Sequence, residues 1–271
     1  MKKQAAVIRP AKGVKENNFR QSRYEGVAKC PFRAILSSRS AGGKTTTIFN
    51  MITDFYGGSR PVFDKVYIFS RSVFLDPLWI RLSAWCEQNM EYEEGETFRY
   101  TTIREEVLER IFDERKKRID EERRQKKHYL SQILVVIDDM SDAYELQARR
   151  ENPVSRLYYG GRHWGISVIS SVHALSSLNP LARKSASMLC IYRIAAGSEL
   201  EYVIDQYAAL VGGRDIFLEM YNEAIKEPFS FLTIFPSESL EKMFQVRFEH
   251  RILIDDSPED VTAEPGGVPS A

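Results

Sequence analysis

The sequence predicts an α/β fold, with a mostly parallel central sheet flanked by helices on both faces. Helical patterns alternate with short apolar runs, and strands that alternate with helices form parallel sheets. Two of these runs end in residues that suit phosphate or metal binding, as expected at the carboxyl ends of parallel strands. The predicted strands cover residues 32–36, 64–70, 133–137, 166–172, 188–194 and 229–235.

The first strand leads into a loop that ends in Gly43, Lys44 and Thr45, and a helical pattern follows. This order of strand, loop and helix is the arrangement of a P-loop, whose backbone N–H groups surround phosphates. We predict that Lys44 reaches the β- and γ-phosphates of ATP and that the Thr45 hydroxyl helps to hold Mg²⁺. The predicted nucleotide-binding residues are Ser38, Arg39, Ser40, Ala41, Gly42, Gly43, Lys44, Thr45 and Thr46.

One position of this loop departs from the usual pattern. Ser38 stands where P-loops carry Gly or sometimes Ala. Ser is small and tolerates turns, so we expect a working loop with less freedom at its first bend. Taken alone, the loop also fits a glycine-rich turn that contains Gly-Lys-Thr by chance.

The second motif is the run Ile-Leu-Val-Val-Ile at residues 133–137, which is typical of a buried central strand. It ends in Asp138 and Asp139. In P-loop ATPases an acidic residue at this point holds Mg²⁺ through water, and its neighbour polarises the attacking water. We assign Asp138 to the metal and Asp139 to the water. An isolated Asp pair would indicate a turn or a helix cap, but its position downstream of a P-loop favours the catalytic interpretation.

Length and composition bound the class of protein. The chain has 271 residues, a formal net charge of zero and 43% apolar residues, which fits one large α/β domain with flanking tails. No apolar run approaches the ~18 residues that cross a bilayer, and the N-terminus lacks the apolar core of a signal peptide. Three distant cysteines, Cys30, Cys86 and Cys190, predict reduced thiols in an intracellular compartment.

Charge is distributed unevenly along the chain. Lys and Arg dominate residues 1–29, whereas residues 255–271 carry acids and no base. We therefore predict a basic flexible N-terminal arm at 1–29, a P-loop ATPase domain at 30–254 and an acidic disordered tail at 255–271. The arm suits phosphate backbones, although a solvated tail without a partner fits it equally. Residues 104–128 predict a highly charged helix whose polar second half either projects into solvent, which we favour, or meets a charged partner.

Residues 32–236 resemble the viral genome-packaging ATPases of the FtsK/HerA superfamily, and above all the poxvirus-type branch found in large DNA viruses, virophages and related elements. The resemblance is carried by the P-loop, by residues 133–140 and by Leu-Tyr-Tyr-Gly-Gly-Arg-His-Trp-Gly-Ile-Ser at 157–167. The last of these is the most specific. The family usually places a Gln sensor after the next strand, where this chain has His173, and an Arg-Lys-Asn-Ala turn that Arg183-Lys-Ser-Ala matches here.

The resemblance implies a homo-oligomeric ring that uses ATP and Mg²⁺ to push double-stranded DNA of any sequence into a preformed capsid. It also implies a capsid or portal-vertex partner, and a location at virion assembly sites in the host cytoplasm or nucleus or in the virion itself. Nucleotide held between subunits needs a cation supplied in trans, for which Arg162 is the first candidate and Arg183 the second. His173 is a candidate γ-phosphate sensor, with a satisfied strand-end histidine as the alternative, and His163 is expected to make local hydrogen bonds.

Two other classes of protein remain open from the sequence. A small-molecule P-loop kinase would usually carry an Arg-rich lid, and none is evident between the fourth and fifth predicted strands. A non-catalytic DNA-binding or capsid-binding module on the same fold is disfavoured by the intact Lys44, Thr45, Asp138 and Asp139. ATPase activity with and without duplex DNA distinguishes the three.

Overall fold

The apolar runs of the sequence form one sheet of nine strands within residues 18–148, 152–194 and 197–253, the parts of the chain that the structure, a computed structural model, describes. The strands are β1 (Arg33–Ser37), β2 (Lys65–Ser70), β3 (Arg99–Tyr100), β4 (Ile133–Asp138), β5 (Ile166–Val172), β6 (Met188–Ile191), β7 (Leu232–Ile234), β8 (Phe244–Val246) and β9 (His250–Arg251).

The sheet is mostly parallel, as predicted. Its order is β3-β2-β4-β5-β1-β6-β7-β8-β9, and the pairs from β3 to β6 are parallel, whereas those from β6 to β9 are antiparallel. The prediction that the run at 229–235 closes the sheet was wrong, because β8 and β9 continue it. These strands have three and two residues, which is too short for a periodic pattern to show in the sequence.

Helices surround the sheet. They are α1 (Lys44–Asn50), α2 (Pro77–Asn89), α3 (Glu105–Arg124), α4 (Tyr144–Gln147), α5 (Pro153–Tyr159), α6 (Pro180–Ser185), α7 (Gly197–Tyr207), α8 (Arg214–Ala224) and α9 (Leu240–Met243). The first of them continues as a π-helical turn, Met51–Phe55, and a 3₁₀ turn, Gly161–Trp164, precedes β5. None of the described helices combines the length and the apolar character needed to cross a membrane.

The strand order brings distant motifs together. β1 lies between β5 and β6, and β5 separates β1 from β4. Ser37 pairs with Val172, and Asp138 pairs with Ser171, so the carboxyl ends of these three strands lie at one edge of the sheet. The loop after β1 therefore lies beside the residues that follow β4 and β5.

The interior confirms the predicted core. Every residue of β4 and β5 is buried, as expected for central parallel strands. The cysteines Cys30, Cys86 and Cys190 are buried and unpaired, and their reduced state in an intracellular compartment stays a prediction. Burial raises the pKa of each of them to about 12, which keeps the thiols protonated.

The second half of α3 is only partly solvated, because one of its faces is buried while most of its other residues are exposed as predicted. Ile119 is fully buried, and Arg115 and Glu122 are 7% and 2% exposed. Arg115 donates to Ser131 Oγ at 3.1 Å and to the Ser131 carbonyl at 2.5 Å, and Glu122 accepts from Ser131 N and Oγ at 2.8 Å each. These hydrogen bonds offset the cost of burying the two charges, so charged residues extend the packing face of the helix.

The packed part of the chain also begins earlier than predicted. Phe19 and Val27, placed by the sequence in a flexible arm at 1–29, are each 6% exposed. Arg20 Nη2 contacts Asp64 Oδ1 at 3.1 Å, which ties the segment to the residue before β2. The prediction of a flexible arm was therefore wrong for residues 18–29, whose apolar side chains join the interior. Residues 1–17 and the predicted acidic tail lie outside the described residues.

Candidate active site

The loop between β1 and α1 turns on Gly43. This residue has a φ of 96°, in the left-handed region that favours glycine. A Cβ built on it would lie 3.3 Å from Cδ1 of Phe229, so a side chain here would also press against that ring. The Gly43 carbonyl accepts from Thr47 N at 2.9 Å and starts the helix.

Ser38, the departure from the usual pattern, is accommodated by a second glycine. Its side chain is buried, and Oγ donates to the Arg39 carbonyl at 2.9 Å. A Cβ on Gly42 would lie 1.7 Å from this Oγ. Ser38 therefore occupies the space that a side chain at position 42 would need, and the loop closes because position 42 has none.

Lys44 is fixed under the loop. It is 7% exposed, and Nζ donates to the carbonyls of Ser38 at 2.6 Å and Arg39 at 3.3 Å. An ammonium group has three N–H donors, so these bonds leave one for a ligand. Burial lowers the pKa of Lys44, while the charges of Asp138 and Asp139 raise it.

Asp138 ends β4 as a buried carboxylate, 4% exposed. Oδ2 accepts from Trp79 Nε1, on α2, at 3.2 Å and from Ser70 Oγ, at the end of β2, at 3.4 Å. Burial raises its pKa, and the charge of Asp139 adds to the rise, whereas a hydrogen bond from the Ser171 hydroxyl, the charge of Lys44 and the hydrogen bond from Trp79 lower it. The sequence did not indicate that Trp79 contacts Asp138. Trp79 lies on the apolar side of α2, so a role in the core was enough to explain it.

Asp139 and His173 form a pair at the mouth of the site. Asp139 has a left-handed φ of 52°, and its side chain is 56% exposed. Oδ1 lies 2.6 Å from His173 Nε2, and His173 Nδ1 lies 3.3 Å from the Ser38 carbonyl oxygen. One imidazole ring therefore links the residue after β4 to the first residue of the loop.

A cavity of about 770 Å³ opens at this edge of the sheet. Lys44, Asp138, Asp139 and His173 line it, so the structure brings these predicted residues together. Five further lining residues match no functional motif, and all of them except Phe55, which lies on the helix after the P-loop, are far along the chain. They are Phe55, Phe229, Phe231, Arg247 and Phe248.

The side chains of the site can supply only part of the coordination shell of a Mg²⁺ ion. The described residues contain no group of three or more His, Cys, Asp or Glu side chains that would hold a metal by themselves. Asp138 and Thr45, which both line the cavity, offer the carboxylate and hydroxyl oxygens that Mg²⁺ prefers, and the raised pKa of Asp138 marks a buried charge without an adequate cation. Phosphate oxygens and water would supply the remaining ligands.

Arg162 does not join this site. It lies on the 3₁₀ turn before β5, whereas His173 follows β5, and a strand of this length spans roughly 23 Å. Its side chain is exposed. Burial lowers the pKa of Arg33, at the start of β1, and the charge of Arg162 lowers it further, which places Arg162 near the amino ends of the strands. Arg162 therefore cannot reach the P-loop of its own chain.

Arg183, the second candidate for the trans cation, and His163, predicted to make local hydrogen bonds, both have local contacts. The Arg183 guanidinium lies 4.8 Å from the centre of the Tyr202 ring, and Nη1 donates to the Leu175 carbonyl at 3.4 Å. His163 is exposed beside Arg162, and its carbonyl accepts from Arg123 Nη2 at 3.4 Å. Use of Arg183 as a trans cation would require it to leave Tyr202.

A phosphate loop after β1 and an acidic pair after β4, with β5 between the two strands, define a P-loop NTPase. Solved structures show the same fold. The genome packaging NTPase B204 from Sulfolobus turreted icosahedral virus 2 in complex with AMP matches with a TM-score of 0.52 and 12% identity over 79% of this chain and 96% of that one. EssC (ATPases 2 and 3) from Geobacillus thermodenitrificans matches with a TM-score of 0.51 and 14% identity, over 85% of this chain and 41% of that one.

Residues 18–227 match the family model of the Poxvirus A32 protein, and the chain belongs to this family. The match confirms the resemblance to viral genome-packaging ATPases of the poxvirus-type branch. A search of curated proteins found no match.

Proposed function

We propose that this protein is an ATP-hydrolysing motor that moves double-stranded viral DNA into a preformed capsid at virion assembly sites in the host cell. The observation that carries the proposal is the meeting of Lys44, Asp138 and Asp139 around one cavity, in a chain of the Poxvirus A32 protein family. The match to B204, which is described as a genome packaging NTPase and was solved with AMPPCP as well as AMP, supports it.

The proposal gives each of these residues a task. Lys44, held by two loop carbonyls, brings a positive charge to the β- and γ-phosphates. Mg²⁺, held with Thr45 and Asp138, would neutralise charge on the phosphate oxygens. Asp139 has an exposed carboxylate beside the same cavity, where it would accept a hydrogen bond from the attacking water and orient it.

His173 acts as a positioning residue for Asp139 in this proposal. Its contact with Asp139 Oδ1 orients the carboxylate, and its other ring nitrogen faces the loop that holds the phosphates. A shift of the P-loop around the γ-phosphate would therefore reach Asp139 through one ring. In this way His173 would sense the γ-phosphate, the role predicted from the sequence.

A ring is required if Arg162 supplies the trans cation. Its position at the far edge of the sheet leaves only a neighbouring subunit's nucleotide within its reach. Phosphoryl transfer spreads negative charge over the equatorial oxygens, and an inserted Arg raises the rate by about 10³ or more. We propose Arg162 for this role ahead of Arg183, whose guanidinium already packs on Tyr202.

The test is ATP hydrolysis with and without duplex DNA, with a Lys44→Ala protein as the control. We expect hydrolysis that duplex DNA of any sequence stimulates, because the cations of loops and arm would meet phosphates rather than base edges. DNA affinity should fall steeply and linearly on a log–log salt plot. Transfer of phosphate to a small molecule would indicate a kinase, and the absence of any turnover would indicate a binding module. A strong preference for one DNA sequence would contradict the motor.

A further inference from the structure

The cavity has an aromatic wall that the hydrolysis chemistry does not use. Phe231 and Phe248 lie 5.2 Å apart between ring centroids, and Phe55 and Phe248 lie 5.4 Å apart, both edge to face. Phe55 ends the π-helical turn that follows α1. The wall thus extends from the helix of the P-loop to the strands at the other side of the cavity.

Phe229 differs from the other rings of this wall. It is 68% exposed and has a left-handed φ of 61°, which is strained for a bulky residue. Its ring rests on the P-loop, since Cδ1 lies 3.3 Å from the position of a Cβ on Gly43. The fold therefore holds a large apolar ring in solvent, in a costly backbone conformation, directly beside the phosphate loop.

A set of polar contacts holds this conformation. Arg247, which itself has a φ of 52°, donates from Nη2 to Glu227 Oε2 at 2.7 Å and from Nε to Ser230 Oγ at 3.2 Å. Glu227 and Ser230 flank Phe229 on both sides along the chain, and Arg247 N donates to the Phe231 carbonyl at 2.9 Å. The guanidinium thus joins the two ends of the loop that carries the ring.

We propose that Phe229 is the platform on which the base of a nucleoside triphosphate stacks. A ligand that fills this cavity needs a polyanionic end at Lys44 and a flat aromatic part against Phe229, and a nucleotide has both. Purines should bind more tightly than pyrimidines, because a larger ring system overlaps more of the platform. The assignment rests on the proposed function, which places the phosphates on the P-loop.

The test compares a ligand that has a base with one that lacks it. We would measure the affinities of ATP and inorganic tripolyphosphate for wild type and for Phe229→Ala. Stacking of one base on one aromatic ring predicts a loss of about tenfold or more for ATP. Affinity for tripolyphosphate should not change. Phe74→Ala is the matched control, because Phe74 is also an exposed ring, 51% exposed, but does not line this cavity.

Two further variants guard against misfolding and test the ring directly. Phe229→Gly suits the left-handed backbone, so it removes the ring without adding strain, and it should show the same selective loss for ATP. Phe229→Trp should keep ATP affinity, and its additional fluorescence should be quenched by ATP but not by tripolyphosphate. Melting temperatures verify that each variant is folded.

Each other outcome overturns a specific statement. Equal losses for ATP and tripolyphosphate would show that Phe229 only supports the P-loop through Gly43. Unchanged ATP affinity in both Phe229→Ala and Phe229→Gly would show that the base lies elsewhere. A change in oligomeric state without a change in ATP affinity would make the exposed ring a subunit contact. If Lys44→Ala binds tripolyphosphate as wild type does, the phosphate site of the proposed function fails, whatever the Phe229 variants show.

Discussion

Two buried carboxylates at opposite ends of β4 behave in opposite ways. Glu122, 2% exposed, contacts Ser131 just before the strand, and Asp138, 4% exposed, ends it. Burial raises the pKa of both, yet hydrogen bonds lower the pKa of Glu122 below its usual value, whereas the pKa of Asp138 stays raised. Glu122 accepts from Ser131 N and Oγ at 2.8 Å and from Arg118 and Lys127 at 3.0 and 3.2 Å.

The contacts of Asp138 with Trp79 and Ser70 are longer, at 3.2 and 3.4 Å, and its negative neighbour Asp139 opposes ionisation. The protein's own donors therefore offset the burial of Glu122, whereas the donors around Asp138, which are Ser171, Trp79 and Ser70, do not offset its burial. A buried charge that the fold completes supports structure, and a buried charge that the fold leaves incomplete beside a cavity indicates a ligand. The amino end of β4 is thus a structural region and its carboxyl end a functional one.

The largest expected effect is the loss of ATP hydrolysis when residues at the carboxyl end of β4 or in the P-loop are replaced. Lys44→Ala should abolish ATP hydrolysis, because the other cation of the loop, Arg39, is exposed and does not line the cavity. Asp139→Asn should bind nucleotide normally but stop turnover, since an amide cannot polarise water as a carboxylate does. Nucleotide affinity and ATPase rate test both, with Lys242→Ala as an exposed control. Normal turnover by Lys44→Ala would refute the site.

The next prediction tests whether Arg162, near the amino ends of the strands, acts on the nucleotide of a neighbouring subunit. Arg162→Ala should bind ATP as wild type does and lose turnover by a factor on the order of 10³, because its own phosphate cradle is intact. A mixed ring of Arg162→Ala and Lys44→Ala subunits pairs some intact P-loops with an intact neighbouring Arg162, so activity should partly return. No recovery in a ring shown by sizing to be mixed would reject the trans role and leave Arg183 to be tested.

A smaller effect is expected on stability, where replacing Glu122 and replacing Asp138 should have different consequences for unfolding. Glu122→Gln should lower the free energy of unfolding by about 2 kcal/mol, because an amide NH₂ meets donors that the carboxylate accepted. Asp138→Asn should unfold at the same or a slightly higher urea concentration, since it removes a poorly compensated charge, but it should lose hydrolysis. Exposed Glu121→Gln is the control. Equal destabilisation at both positions would contradict the distinction.

The smallest effect is in the pH dependence of stability. Glu122 has a pKa below 4.5 when folded, so its stabilisation is present above pH 4.5 and is lost as the pH falls through the folded value. Asp138 has a pKa above 3.8 when folded, so its unfavourable contribution is full above the folded value and disappears below pH 3.8. Unfolding free energies measured against pH should therefore change slope in opposite directions in Glu122→Gln and Asp138→Asn.

The sequence predicted the parts of the site that are local in the chain. The P-loop and the Asp138-Asp139 pair each combine a strand with adjacent polar residues, and the alternation of strands and helices then places them at one edge. The buried charges of α3 were also visible in principle. Leu108, Ile111, Arg115, Ile119 and Glu122 follow one helical stripe, and all five are buried. Arg115 and Glu122 were counted as polar, although their positions put them on the packing face.

The aromatic wall was beyond sequence reasoning for a different reason. Phe229 belongs to an apolar run that already fits a buried strand, so nothing marks its ring as exposed. Its orientation depends on a left-handed backbone and on Arg247, which comes from the turn between β8 and β9. Neither strand is long enough to be predicted, and the contact between the two segments exists only in three dimensions.

The contact between Ser38 and Gly42 bears on how such loops are found in other sequences. The usual pattern demands glycine at the first position of the loop and leaves the position of Gly42 free. A search that applies it literally discards this chain, although its loop closes. The steric requirement belongs to the pair, because the Ser38 hydroxyl and a side chain at position 42 would occupy the same space. A pattern that allows serine at the first position when glycine stands at the position of Gly42 would therefore recover loops of this kind.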